Sequence, residues 1–222
     1  MKREHISEFV HDEWSATLLD SAFPCVGGAG AVRRGDYSHR TYKSLESGLS
    51  ADECARDLEE FLSSRDRADF PVSVFTASFL EPSSLDEEGF ELALWRFLEM
   101  LRQRDQVADS VDEAGIDLDE PDDIGYVFGG RHLFIVGMHP TASRFARRFA
   151  FPTLVFNALS HATPLRETGR FERMADRIRA RDIRLQHEVN PSIHLPRPAQ
   201  FSGRLNQPGW ECPHPDAMPG PH

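Results

Sequence analysis

The sequence predicts an α+β or α/β fold: a single domain with a small mixed sheet flanked by helices, and an extended C-terminal tail. Segments with an apolar residue at every third or fourth position alternate with short segments rich in β-branched and aromatic residues. The chain has 222 residues, of which 40% are hydrophobic and 27% charged. This length and composition suit one globular domain, and they leave the order of the strands open.

Helices are predicted at three places in the first half of the chain. In residues 5–21 apolar side chains recur every four positions. Ser50 begins the second helix, because Ser50 and Glu53 have the spacing of a capping box. Residues 86–104 form the clearest helix, since acidic residues open it and arginines close it, as the helix dipole favours. Residues 23–36 are rich in glycine, and we expect an irregular turn there.

The composition of five segments is typical of strands, which we predict near residues 37–45, 70–80, 125–129, 133–138 and 153–157. Gly129 and Gly130 form a hairpin-type turn between the third and the fourth strand. His139-Pro140 is expected to open a short helix that runs from Thr141 to Phe149. A long arginine-rich helix is expected from Thr163 to Gln186, with a proline at its first turn.

Residues 1–212 are predicted to form the domain, and residues 213–222 a disordered tail. From Asn190 onward the chain is rich in Pro, Gly, His and Ser, so we expect an extended or irregular path. Residues 105–124 are acidic and contain proline, and we interpret them as a surface excursion.

Charge and hydropathy exclude several classes of protein. The formal net charge is −11, from 25 basic and 36 acidic residues, which is the opposite of a duplex-DNA binder, so we expect no nucleic-acid partner. No run of ~20 apolar residues occurs, and we expect no membrane-spanning helix. The first residues lack the uninterrupted apolar stretch of a signal peptide, and the three cysteines form no CxxC pair. These features predict a cytoplasmic protein, for which a homodimer is one expected assembly.

Charge is also unevenly distributed along the chain. Residues 81–123 hold 15 acidic and 3 basic side chains, whereas residues 131–184 hold 11 arginines and 4 acidic side chains. A site for an anionic cofactor needs positive charge nearby. Two solvated helix faces of opposite sign explain the same pattern, and from charge alone this second interpretation is preferred.

His139 is the first candidate site residue. An apolar strand runs into His139-Pro140, at the kind of strand-to-helix junction where ligands bind. Arg144, Arg147 and Arg148 follow on one side of the expected helix. The imidazole could bind a haem iron while a guanidinium binds a propionate. A helix-capping histidine with three solvated arginines remains the alternative.

Cys25 is the second candidate. It follows Phe23 and Pro24 and precedes Gly27 and Gly28, which permit close approach of the backbone to a flat ligand. Its thiolate could be an axial haem ligand, as in monooxygenases that need strong electron donation. A small buried thiol after a helix-ending turn is the alternative.

The ordered set of these segments resembles the YqcI/YcgG family, which includes haem-dependent N-oxygenases of guanidine groups. The likeness covers most of the chain, and HPTASRFARRF is its most specific piece. It is carried by FPCV at 23–26, FELALWRFLEMLRQRD at 90–105, HLFIVGMHPTASRFARRF with FPTLVFN at 132–157, RIRARD at 177–182, NP at 190–191, QFSGR at 200–204 and WECP at 210–213.

The resemblance implies a haem b enzyme that uses dioxygen to hydroxylate a guanidino nitrogen of arginine or of an arginine-derived amino acid. It places the axial ligand on His139. One or two of Arg144, Arg147 and Arg148 would bind the haem propionates. A non-catalytic haem carrier or sensor, and a cofactor-free interaction protein of the same fold, are the alternatives.

The resemblance also implies that Phe23, Pro24 and Cys25 line the haem pocket, and that residues 200–204 fold over it as a lid. No flavin or nicotinamide motif is present, so a separate reductase or ferredoxin would supply electrons. An acidic lining would help to bind a cationic guanidinium, and Asp122 and Asp123 in the acidic excursion are one source of it.

Overall fold

A five-stranded sheet lies between two layers of helices in the part of the chain that the computed structural model describes, residues 3–65, 73–107 and 125–218. The helices are α1 (Arg3–Leu19), α2 (Val26–Arg34), α3 (Gly48–Arg65), α4 (Glu87–Arg102), α5 (Thr163–Glu167) and α6 (Arg170–Gln186). The strands are β1 (Tyr37–Ser44), β2 (Val74–Glu81), β3 (Tyr126–Phe128), β4 (Arg131–Met138) and β5 (Thr153–Ala158). The predicted fold class, a single mixed α+β domain with a small mixed sheet, is confirmed.

The sheet has the order β1-β2-β5-β4-β3. β1 and β2 are parallel, and the other three pairings are antiparallel. The register places Val155 of β5 between Thr76 of β2 and Val136 of β4. These three residues therefore lie side by side on one face of the sheet, because residues paired across strands share a face.

Side chains alternate between the two faces of the sheet. On one face α3 and α4 cover the larger core, which includes Phe75 of β2 and Ile135 of β4. On the other face α1 packs its Trp14 near Met138 and Val155. None of the described helices combines the length and the apolar character that a membrane span requires.

Helix α4 packs closely against the end of β4. Asp86 caps the helix by accepting a hydrogen bond from the Gly89 N–H over 2.8 Å, as its acidic first turn predicts. At Gly137 of β4 a Cβ atom would lie 2.7 Å from a ring carbon of Phe90 and 2.8 Å from a methyl of Leu94. Glycine at this position therefore sets how closely the helix approaches the sheet.

Residues 23–36 differ from the prediction, because most of them form helix α2 rather than an irregular turn. Cys25 caps the helix at its start, and Gly35, with φ 72°, ends it. Within the helix Gly27 packs against α6, where a Cβ would lie 3.5 Å from the Met174 sulfur. Tertiary packing thus outweighs the low helix propensity of glycine.

Residues 139–149 also differ from the prediction, because they form a closed loop with one 3₁₀ turn, Phe145–Arg147, instead of a helix. The His139 N–H donates to the Arg147 carbonyl over 3.0 Å, and the Phe149 N–H donates to the His139 carbonyl over 3.4 Å. These bonds join the two ends of the loop. The expected long helix further on is divided into α5 and α6 at Gly169, whose φ is 60°.

The C-terminal tail is irregular, as predicted, with short 3₁₀ turns from Asn190 onward. Residues 213–218 differ from the expected disorder, because a 3₁₀ turn at Pro215–Ala217 packs on α4 and Ala217 is fully buried. Residues 219–222 lie outside the described residues. So does most of the predicted acidic excursion, including Asp122 and Asp123.

The tail covers a free edge of β4. β3 pairs with residues 131–133 of β4, and no other strand of the described residues pairs with the rest of that edge. There the Gly137 N–H donates to the Phe201 carbonyl over 2.7 Å. The tail therefore satisfies backbone groups that a neighbouring strand would otherwise satisfy.

Glu91 of α4, which is 4% exposed, anchors the tail. Its carboxylate accepts hydrogen bonds from four donors in the tail: Ser202 Oγ at 3.0 Å, Arg204 Nη1 at 2.9 Å, Asn206 Nδ2 at 2.9 Å and Trp210 Nε1 at 3.2 Å. A buried carboxylate with this number of donors is well compensated for its loss of water. The tail is consequently part of the domain.

Candidate functional site

A cavity of about 290 Å³ lies between the sheet and the helices α1, α2 and α6. The sheet contributes residues of β2, β4 and β5, and residues 189, 190, 193 and 200 of the tail line it as well. Most of the lining is apolar, with a few polar side chains among it. This is the usual make-up of a small-molecule site, and the volume is at the lower end of the range for such sites, ~300–1,000 Å³.

Cys25 lies in this cavity together with Phe23 and Pro24, as the sequence predicts. Its free thiol is at the N-terminus of α2, where Sγ accepts a hydrogen bond from the Gly28 N–H over 3.3 Å. The sulfur thus lies at the end of α2 where the backbone N–H groups have no intrahelical partners. A Cβ at position 28 would lie 3.4 Å from Sγ, so glycine there keeps the space beside the sulfur open.

Arg144 is a buried cation in the cavity lining, only 2% exposed. Its Nη2 donates to Oδ2 of Asp182 on α6 over 2.5 Å. Its Nη1 has no hydrogen-bond partner, although a carboxylate oxygen of the exposed Glu188 lies 3.5 Å away. The guanidinium is thus oriented by Asp182 and keeps one donor group for a ligand.

Arg147 also lines the cavity, and its guanidinium donates hydrogen bonds to three backbone carbonyls. Nη1 donates to the carbonyls of Gly137 at 3.1 Å and Phe201 at 3.3 Å, and Nη2 donates to the Gln200 carbonyl at 3.1 Å. Burial, and then the nearby charge of Arg144, lower its pKa to about 10. Its described contacts tie the tail to the end of β4.

Arg148 lies outside the cavity lining. Its Nε donates to the Ala142 carbonyl over 2.6 Å, and its guanidinium stacks 4.4 Å from the centre of the Phe145 ring. The structure therefore brings two of the three predicted arginines, Arg144 and Arg147, to the cavity.

His139 is 1% exposed and lies outside the cavity lining as well. Its ring stacks on Phe90 of α4, with the ring centres 4.3 Å apart. Nδ1 is 3.0 Å from Thr141 Oγ1, while Nε2 is buried without a hydrogen-bond partner. Burial lowers the pKa of the imidazole, which favours its neutral form.

The alternation of side chains along β4 explains where His139 lies. Val136 and Met138 line the cavity, whereas Ile135 and Gly137 face α4. His139 continues the second series and meets Phe90 of α4. The cavity thus holds Cys25 but not His139, and the predicted axial role of His139 gains no support from its position.

Four buried polar atoms of the cavity lining have no hydrogen-bond partner in the described part of the chain: Trp14 Nε1, Thr76 Oγ1, Arg144 Nη1 and Asp182 Oδ1. Buried polar atoms in proteins are nearly always paired. Their residues surround one cavity, which marks it as the candidate ligand site. Sequence reasoning did not select Trp14, Thr76 or Asp182, although Asp182 ends the segment RIRARD that carries part of the resemblance.

The tail motif at residues 200–204 is divided between two places. Gln200 lines the cavity, and its Nε2 donates to the Leu195 carbonyl over 2.7 Å. Ser202 and Arg204 instead bind Glu91 on α4. The predicted contact of the tail with the pocket is therefore present at Gln200.

The family model described as the YqcI/YcgG family matches residues 14–215. The chain belongs to the YqcI/YcgG family. The match to the YqcI/YcgG model includes the cavity and the tail segment that lines it, and it confirms the membership expected from the sequence. No curated protein and no solved structure matches the chain. The activity of this YqcI/YcgG protein is accordingly a matter of proposal.

Proposed function

We propose that this protein is a haem-dependent monooxygenase that hydroxylates a guanidino nitrogen of arginine or of an arginine-derived amino acid, with Cys25 as the residue that would hold the haem iron. The observation that carries the proposal is the position of Cys25, whose sulfur lies at a helix N-terminus inside the ligand-sized cavity. This proposal assigns the iron-binding role to Cys25 and not to His139, because the His139 ring packs against Phe90 on the α4 side of the sheet.

Two features around Cys25 support a haem at this cavity. The sulfur belongs to the cavity lining, and it accepts a hydrogen bond from the Gly28 N–H over 3.3 Å. A bound haem would supply dioxygen activation, which a thiolate ligand favours by donating electron density. The protein's contribution is to orient the substrate and to exclude water with the largely apolar lining.

Arg144 is the residue that would bind a haem propionate. Its Nη1 has no hydrogen-bond partner among the described residues, although it lies 3.5 Å from the exposed Glu188 carboxylate, and Asp182 orients its guanidinium. Arg147 already donates to three carbonyls, and Arg148 lies outside the lining. Of the three arginines considered for the haem propionates, we therefore assign this role to Arg144.

The reaction consumes one dioxygen, two electrons and two protons for each guanidino N–H that becomes N–OH, with one water released. The electrons come from a separate one-electron carrier, since the sequence has no flavin or nicotinamide motif. The carrier is oxidised as one oxygen atom is reduced to water.

The ligand assignment is tested by absorption spectra of purified full-length protein supplied with haem. We expect Cys25→Ser to abolish the thiolate-type Soret band of the ferrous carbonyl form. Cys212→Ser, a half-buried thiol of the tail, is the matched control and should keep it. His139→Gln should keep it too, and loss of the band in His139→Gln alone would assign the iron to the imidazole.

Turnover is tested by incubating the haem protein with arginine, dioxygen and a reductant, and by following the mass of the product. A gain of one oxygen atom on the guanidino group supports the proposal. A Soret band without product in a panel of guanidino compounds would favour a haem carrier or sensor. No Soret band at all would favour a cofactor-free interaction protein.

A further inference from the structure

Helix α6 carries a line of arginines along one side. At 100° per residue, the side chains of five of them fall within an arc of about 80°. These five form the arginine stripe: Arg170, Arg173, Arg177, Arg181 and Arg184. The acidic residues of the helix, Glu172, Asp176 and Asp182, lie on other sides of it.

The arginine stripe faces solvent. Four of its members are exposed, and only Arg181 is half-buried. In the described part of the chain the ion pairs of α6 are Arg179 with Asp176 at 3.0 Å, and Asp182 with Arg144 at 2.5 Å, neither of which involves the stripe. The charges of the stripe are therefore not neutralised by the described residues.

Adjacent members of the stripe are three or four residues apart, a spacing at which like charges destabilise a helix. The protein as a whole has a net charge of −11, so this positive surface is local. A partner with negative charge would relieve the repulsion within the stripe.

The stripe lies next to the segment that holds Cys25. Arg181 Nη1 donates to the Phe23 carbonyl over 3.2 Å, two residues before Cys25. Met174 of α6 packs near Gly27, in the first turn of the helix that Cys25 caps. A protein bound to the stripe would thus be separated from the cavity by about one helix diameter, ~10 Å.

We propose that the arginine stripe is the docking surface for an acidic one-electron carrier protein of the ferredoxin kind. This inference rests on the proposed function, which needs two electrons from outside the chain. Each reduced carrier gives up one electron and leaves oxidised. Two carriers therefore supply the two electrons that, with two protons, reduce one oxygen atom of dioxygen to water, while the other oxygen atom enters the guanidino N–H. Attraction between the stripe and an acidic carrier would speed their encounter on the Cys25 side of the cavity.

Nucleic acid and an anionic membrane surface are the competing partners for a basic helix. The stripe lies on a single helix of 17 residues. Because the net charge of the protein is −11, its other surfaces would repel a long polyanion such as DNA. A small acidic protein can instead contact the stripe alone.

The test measures binding of an acidic plant-type [2Fe–2S] ferredoxin to the full chain by calorimetry, with and without haem. The double variant Arg173→Gln/Arg177→Gln removes two stripe charges. The matched control, Arg56→Gln/Arg96→Gln, removes two exposed arginines from α3 and α4 on the other side of the sheet. All four positions are exposed, and thermal unfolding checks that each variant folds.

We expect the stripe variant to weaken the ferredoxin Kd by about fivefold or more, and the control by less than about twofold. Wild-type binding should weaken as salt rises, because exposed charges are screened. Equal weakening in both variants, or tighter stripe-dependent binding of duplex DNA or anionic vesicles than of ferredoxin, would overturn the proposal.

Failure of the docking surface and failure of the proposed function give different results. With haem bound, the stripe variant should be reduced more slowly by ferredoxin and at the wild-type rate by dithionite. Equal ferredoxin rates in a protein that still makes hydroxyguanidine would reject the docking surface alone. Stripe-dependent ferredoxin binding by a protein that binds no haem would reject the oxygenase alone.

Discussion

The sulfur of Cys25 accepts a hydrogen bond from the Gly28 N–H over 3.3 Å, within the first turn of α2. Two properties of the site arise from this one contact. The N–H stabilises charge on the sulfur, and the absence of a side chain at position 28 leaves the sulfur accessible from the cavity.

Gly28→Val should weaken haem binding without unfolding the protein. A Cβ at this position would lie 3.4 Å from the Cys25 sulfur and 3.6 Å and 3.7 Å from the Leu18 methyls, so a branched side chain would fill the space. We expect haem affinity to fall about tenfold, which corresponds to a modest overpacking cost. Haem titration followed at the Soret band measures it. Gly30→Ala is the control, because its Cβ meets only the flexible end of Arg34, and an equal loss there would contradict this explanation.

Arg144→Met should destabilise the protein strongly, because it leaves the Asp182 carboxylate buried without its cation. Breaking a buried pair in this way costs ~3–5 kcal/mol of unfolding free energy. The double variant Arg144→Met/Asp182→Leu removes both charges and should recover most of the loss. Urea unfolding measures all three proteins, and a double variant no more stable than the single one would show that the pair is not coupled.

Glu91→Leu should detach the tail from α4. Four donors of residues 202–210 lose a shared charged acceptor, and the buried Ser202 hydroxyl is among them, so the change should cost at least about 2 kcal/mol. Limited trypsin digestion should then cleave after Arg204 faster than in the wild type. Glu60→Leu, which replaces an exposed glutamate of α3, is the control. Unchanged cleavage in Glu91→Leu would mean that other contacts hold the tail.

His39 should make stability depend on pH. Burial, with the charges of His11 and Arg40, lowers its pKa from 6.5 to about 3, so the folded protein keeps the ring neutral while the unfolded chain protonates it. Stability from this group is complete above about pH 6.5 and is lost as pH falls toward 3.

In His39→Gln the group cannot titrate, so the unfolding free energy should fall less between pH 7 and pH 5 than in the wild type. Denaturant unfolding at the two pH values checks this. His5→Gln, an exposed histidine of α1, should behave as the wild type does. The same pH dependence in His39→Gln would assign the effect to other groups.

The fold class was predictable from periodicity, since α4 and the strands have strong local patterns. Helix α2 was missed because its glycines have low helix propensity, and contacts such as Gly27 with Met174 cannot be found from local sequence. The 139–149 loop was missed because its closing bonds join residues eight to ten apart.

For the site, Phe23, Pro24 and Cys25 lie in the cavity lining, whereas His139, the residue predicted as the axial ligand, lies outside it. Counting side-chain alternation along β4 from Met138 would have placed His139 on the opposite face from Val136. Asp182 and Thr76 could not be selected from sequence. Their importance lies in unpaired atoms that only the packed structure reveals.

The cover that Phe201 provides over the free edge of β4 has a consequence for handling this protein. A chain truncated before residue 199 would display an open strand edge with unpaired backbone groups, which is a template for aggregation. The C-terminal segment thus also prevents self-association through this strand edge. Shortened versions of the protein, which also lose Gln200 from the cavity lining, are therefore expected to precipitate.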